Sequence, residues 1–164
     1  MDNKKLVITR TLNAPRELVW KAWTDPKALA EWWGPKEFEI TVHKFDFKPE
    51  GIFHYDMLAH NGFQMWGIFT YKEITAPEKI VFINSFSDKE GNITRAPFFD
   101  GKWPLEIRNT LTLTEESGKT ILTLIGGPIN STEEEQAAFE SNTKSMQQGF
   151  AGTFDKLEQY LAKQ

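Results

Sequence analysis

From Lys5 to Leu12 the chain alternates, with Leu6, Ile8, Arg10 and Leu12 on one side and Val7, Thr9 and Thr11 on the other. That period and its β-branched content predict a strand. Asn13-Ala14-Pro15 closes it, and Pro15 is well placed to open a helix to about Thr24, with Leu18, Val19, Ala22 and Trp23 on one stripe. Asp25 as N-cap and Pro26 in the first turn start a second short helix. It carries Leu29, Trp32 and Trp33 until Gly34-Pro35 stops it.

Beyond Phe38 the period becomes two. Phe38, Ile40 and Val42 share a face, followed by Phe45 and Phe47, and Pro49-Glu50-Gly51 predicts a turn. Phe53, Tyr55 and Met57 then alternate with His54, Asp56 and Leu58 as far as the turn His60-Asn61-Gly62. Strands are expected over Gln64 to Ile74, Lys79 to Phe86, Leu105 to Thr114 and Lys119 to Gly126. The breaker-rich stretch Ser87 to Pro104 reads as one long loop, of the kind that is usually functional or mobile in a compact domain.

After Gly126-Gly127-Pro128 the pattern is helical to the end, with Ser131 and Glu134 spaced as a capping box. Ala138, Phe139, Asn142, Met146, Phe150, Phe154, Leu157 and Leu161 repeat at helical spacing, which predicts one helix of about thirty residues. Gly149 and Gly152 fall inside it, where a kink or close packing against the sheet is expected. No repeat or linker interrupts the pattern, so one domain over residues 1–164 is expected.

Composition narrows the function classes. With 164 residues a sizeable core is possible without staples, and six Trp and thirteen Phe make that core aromatic. The absence of cysteine excludes disulfides, thiolate nucleophiles and cysteine metal sites. The start Met1-Asp2-Asn3-Lys4-Lys5 has no apolar region behind it and no apolar run spans a bilayer, so neither export signal nor membrane span is expected, and the expected location is cytoplasmic. A net charge of −4, spread without a basic block, argues against nucleic acid as a partner.

The order strand, two short helices, six strands and long helix is a helix-grip plan. Ala14-Pro15-Arg16-Glu17-Leu18-Val19-Trp20-Lys21-Ala22-Trp23-Thr24-Asp25-Pro26 followed by Trp32-Trp33-Gly34-Pro35 is its most specific stretch. Weaker matches are Asp46-Phe47-Lys48-Pro49-Glu50-Gly51, Glu73 to Phe82 and Gly118-Lys119-Thr120. On these residues the chain resembles the START-like (SRPBCC) superfamily, whose architecture the birch pollen allergen shares, and within it the branch of activator of heat-shock-protein-ninety ATPase homologues. Glu50-Gly51 stands where the branch usually has two glycines, and Gly149-Phe150 where it usually has Gly-Trp. The resemblance implies an α+β fold in which a curved antiparallel sheet of about seven strands wraps a long C-terminal helix around an internal apolar cavity. It also raises a chaperone as a possible contact.

The sequence offers three chemistries within that frame. Pairing across Pro49-Glu50-Gly51 sets Val42 opposite Tyr55 and His43 opposite His54, but no third ligand is spaced for a metal, so the pair reads as an outer-face contact unless a bulge near the glycine shifts the register. Tyr55, Asn84, Glu106 and Arg108, expected on inner faces, and Asp100 in the loop are candidates for acid–base work of a cyclase or hydrolase, without any catalytic spacing to support them. The aromatic set is the stronger signal, because a sheet curled around one helix leaves room for a pocket of several hundred Å3. Trp32, Trp33, Phe53, Tyr55, Met57, Phe69, Phe82, Phe86, Phe99, Met146 and Phe150 are the expected ligand-binding residues. The expected function is non-catalytic binding of a small hydrophobic or amphipathic molecule, with no cofactor, no metal and no catalytic residue.

Overall fold

A computed structural model describes residues 4–164, so Met1, Asp2 and Asn3, where the expectation about an export signal falls, lie outside the described residues. The strand β1 (Leu6–Leu12) is followed by helices α1 (Arg16–Thr24) and α2 (Pro26–Trp32). Asp25 caps α2 by accepting a hydrogen bond from the Lys27 amide at 3.0 Å, with Pro26 in the first turn. Strands β2 (Phe38–Phe45), β3 (Ile52–Ala59), β4 (Gln64–Thr75) and β5 (Lys79–Ser87) come next, then the two-residue β6 (Ile93–Thr94), β7 (Ile107–Glu116) and β8 (Lys119–Pro128). They form an open antiparallel sheet in the order β1-β8-β7-β5-β4-β3-β2, with β6 pairing only with β5.

Two helices end the chain where one was expected: α3 (Glu133–Ser141) and α4 (Thr143–Ala162). The break falls at Asn142, whose side-chain amide turns back to donate to the Ala138 carbonyl at 2.7 Å. An Asn side chain competes for backbone partners in this way and favours helix ends. Gly149 and Gly152, by contrast, lie inside the continuous α4 without a kink. The capping box also shifts by one residue: Thr132 Oγ1 accepts from the Glu135 amide at 3.1 Å while Glu135 Oε1 accepts from the Thr132 amide at 2.9 Å. Glu135, Gln136 and Phe139 are the buried residues of α3.

The stretch expected as a loop is partly ordered by aromatic contacts. Besides β6, it holds a single 3-10 turn at Phe99–Gly101, and Trp103 stacks on Phe99 at 4.9 Å and packs against Phe139 of α3 at 5.9 Å. Leu6, Ala96, Trp103 and Phe139 form a small core of their own. The main core lies between the inner sheet face and the helices: Phe53, Phe69, Phe82, Leu111 and Leu124 from the strands meet Trp23, Trp32, Phe154 and Leu157. Burial of such side chains stabilises the fold by about 1.5–3 kcal/mol each. Arg10 ties the edge strand β1 to α4, donating through Nε to Glu158 Oε1 at 2.8 Å and through a terminal nitrogen to the Ala151 carbonyl at 3.1 Å.

Candidate functional site

The C-terminal half of α4 packs on α1, α2 and the core, whereas the large apolar side chains of its N-terminal half, Met146 and Phe150, are only half-buried. Under that half a cavity of about 430 Å3 opens between the sheet, α3, α4 and the Phe98–Pro104 segment. Two glycines set its floor. An added Cβ on Gly67 of β4 would lie 2.5 Å from the Tyr55 hydroxyl oxygen, and one on Gly126 of β8 would collide with the side-chain carbonyl of Asn109. Tyr55 and Asn109 therefore lie flat across neighbouring strands, and glycine in a strand interior marks this kind of close approach.

Trp33 forms one wall. Thr153 Oγ1 donates to the Gly34 carbonyl at 2.9 Å, and the ammonium of Lys156 donates to the Trp33 and Pro35 carbonyls at 3.4 and 3.2 Å, so α4 clamps the end of α2. Burial lowers the pKa of Lys156. The Trp33 ring stands perpendicular to Phe69 at 5.1 Å and tilted against Phe150 at 6.3 Å. Its indole N–H is buried with no hydrogen-bond partner, as is the hydroxyl of Ser85.

Of the expected site residues, Trp33, Tyr55, Met57, Phe86, Phe99, Met146 and Phe150 line the cavity. Trp32, Phe53, Phe69 and Phe82 do not; they are fully buried in the core behind the wall. The reason is pairing between aromatics. Phe69 stacks on Phe82 at 4.3 Å, Phe53 stands edge-on to Phe69 at 5.0 Å, and the Trp32 indole meets Trp23 at 4.8 Å while donating to the Ala22 carbonyl at 2.9 Å. Asn109, Trp103 and Phe139 are lining residues outside the expected set. Asn109 had a legible signal, because it interrupts the apolar inner-face alternation of Ile107 and Leu111. Trp103 and Phe139 had none, since only tertiary folding brings the loop onto α3.

Of the acid–base candidates, Tyr55 and Asn84 face the cavity. Arg108 is exposed and shares the opposite strand face with Glu106, because buried Asn109, Leu111 and Leu113 set the inward parity of β7. Asp100 is exposed in the 3-10 turn. Among the described residues Tyr55 is thus the only side chain on the cavity wall with an ionisable group, and burial raises its hydroxyl pKa far above the ordinary value. The Trp33 N–H nearby pulls the other way without reaching hydrogen-bond geometry.

The histidines lie on the outer face. Val42 opposes Tyr55 as expected, but a bulge between Val42 and Lys44 sets Lys44 rather than His43 opposite His54. His43 Nε2 sits 2.6 Å from Asp56 Oδ2, His54 Nε2 sits 3.0 Å from the Asp88 carbonyl, and Trp66 packs against both rings. Among the described residues no group of three or more acidic or histidine side chains is arranged to hold a metal ion.

An open antiparallel sheet gripping a C-terminal helix, with two short helices after the first strand, defines a helix-grip protein of the START-like (SRPBCC) class. Within that class the chain belongs to the family described as Activator of Hsp90 ATPase homolog 1-like protein, whose model matches residues 13–162. The solution structure of an Arthrobacter aurescens protein is similar at a TM-score of 0.80 and 26% identity, over 98% of this chain and 87% of that one. The crystal structure of a Mycobacterium smegmatis protein superposes at a TM-score of 0.78 and 23% identity, covering 99% and 98% of the two chains. That of the AHSA1 protein from Silicibacter pomeroyi does so at 0.74 and 17%, covering 97% and 98%. The last two likenesses show the fold alone. No curated protein matches the chain. No helix among the described residues is long and apolar enough to cross a membrane.

Proposed function

We propose that this protein binds a small hydrophobic or amphipathic molecule in the cavity beneath the N-terminal half of α4 and performs no chemistry on it. One observation carries the reading: a cavity of about 430 Å3 walled by aromatic and methionine side chains, with no Asp, Glu, His, Lys or Arg lining it among the described residues. Pockets of this size and character suit drug-sized ligands. General acid–base or nucleophilic catalysis requires a group that changes protonation near the working pH, and Tyr55 is held protonated by burial. Met57, Met65 and Met146 supply walls that adapt to ligand shape. Residues 1–164 act as a single binding domain in this reading, with Trp33, Tyr55, Met57, Phe86, Phe99, Met146 and Phe150 in contact with the ligand. Native mass spectrometry of freshly purified protein tests it. A small-molecule adduct, or saturable one-to-one uptake of the apolar probe N-phenyl-1-naphthylamine by stripped protein, is expected, and the absence of both would overturn the reading.

A further inference from the structure

Among the described residues the polar groups that face the cavity are all neutral, and they are not scattered. On β5 the inner-face alternation Phe82, Asn84, Phe86 places an amide between two aromatics, and on β7 Ile107, Asn109, Leu111 repeats the pattern. Asn84 opposes Ile107 and Phe82 opposes Asn109, so the two amides are diagonal neighbours on one face. Both line the cavity. Asn has low strand propensity, and a buried amide is costly unless its hydrogen bonds are made. Yet buried Asn109 makes one long bond, donating through Nδ2 to the Ile107 carbonyl of its own strand at 3.3 Å, while its carbonyl lies over Gly126. The indole N–H of Trp33, another lining residue, is buried without a hydrogen-bond partner.

Among the described residues, no cation is part of the cavity lining to offset this neutrality. Arg95 and Lys102, the basic residues nearest in sequence to Phe98, Phe99 and Trp103, are ion-paired with Glu135 and Glu134 of α3. Lys144 is exposed and falls off the lining stripe Asn142, Ser145, Met146 and Gly149 of α4. An ionised ligand would lose its hydration and meet no countercharge, which costs far more than an apolar contact returns.

We infer that the cavity selects uncharged ligands bearing a hydrogen-bonding carbonyl or hydroxyl, which the Asn84–Asn109 amide pair recognises, and that it discriminates against carboxylates and ammonium ions. The inference rests on the binding reading above and narrows its ligand class. An amide pair suits such a group because each amide both donates and accepts. A hydroxyl or ketone satisfies one or both of them, whereas a plain hydrocarbon leaves them unmade.

Three naphthalenes of nearly one shape separate the possibilities: 2-acetonaphthone, 2-ethylnaphthalene and 2-naphthoate. Titrations of the full chain are followed through the backbone amide resonances of Gly67 and Gly126, which report on the cavity floor. The ketone is expected to saturate these shifts most tightly, with naphthoate at least about tenfold weaker and ethylnaphthalene several-fold weaker. Asn84→Leu is expected to abolish the preference for the ketone over ethylnaphthalene while leaving ethylnaphthalene binding in place. Should that variant fail to fold, Asn84→Ala is read in the same way. Naphthoate binding as tightly as the ketone would overturn the neutral selection, and a ketone preference unchanged in the variant would overturn the amide assignment. If none of the three compounds moves the two glycine resonances, the binding reading itself falls.

Discussion

Single residues decide where this fold is filled and where it is left open, and the glycines illustrate both outcomes. Gly67 is required because Tyr55 occupies the space of its missing Cβ. Gly149 is different: a Cβ there would meet nothing within 4 Å, and the helix around it is regular. Gly152 would meet only the methylenes of Lys36, from 3.4 Å outward. Neither glycine is therefore explained by close packing on the sheet. Gly149→Ala is expected to stabilise the protein by up to about 1 kcal/mol, the ordinary helix-propensity difference. Gly152→Ala is expected to gain a similar amount, because the Lys36 methylenes lie at ordinary van der Waals distance from the new Cβ. Urea unfolding midpoints check both, and a loss of stability in Gly149→Ala would mean that α4 bends at that residue in solution.

Among the elements, the contact between the loop and α3 is set by charge as well as by aromatic stacking. Glu135 closes the capping box of α3 and pairs with Arg95, whose guanidinium also donates to the Trp103 carbonyl at 3.1 Å. Hydrogen bonding from the Thr132 amide first, and from Arg95 second, holds the Glu135 pKa below the ordinary carboxylate value. A depressed folded-state pKa means stability that is present above the unfolded pKa and lost as pH falls through the folded one. The stability advantage of the native protein over Glu135→Gln is therefore expected to be constant above about pH 5 and to shrink as the solution is acidified below the ordinary Glu pKa. Melting temperatures of the two proteins across that range measure it. An advantage that grew on acidification would show that the pair with Arg95 does not stabilise the folded carboxylate.

At the scale of the whole molecule, α4 is anchored at one end and suspended at the other. Phe154, Leu157 and Leu161 are buried in the core, while residues around Met146 and Phe150 cover the cavity with few neighbours. Regions with little buried apolar contact open more readily. Backbone amides of residues 146–150 are thus expected to exchange hydrogen faster than those of residues 154–161, and a cavity ligand is expected to slow the first group selectively. Hydrogen exchange read by mass spectrometry checks this, and uniform protection along α4 in the free protein would contradict it.

The periods along the chain were sufficient for the seven long strands and the two short helices, because strand and helix repeats are local consequences of which side chains must be hidden, and the fold class came from the family resemblance. The Asp25-Pro26 helix start was legible for the same reason, since a cap and its helix lie within one turn of each other. The break at Asn142 was not, because an apolar stripe continues across it and only the side chain's turn back to Ala138 ends the first helix. Parity on β7 escaped local reading because it is set by pairing with distant strands, whereas the register shift in the β2–β3 hairpin was legible as a bulge and falls at His43 rather than at the glycine. The site divided along the same line. An aromatic interior could be read from composition, but whether an aromatic lines the cavity or fills the core depends on which partner ring reaches it first. Trp32 and Trp33 are adjacent in sequence, and only the position of Trp23, Phe154 and the suspended half of α4 buries one in the core and turns the other to the cavity.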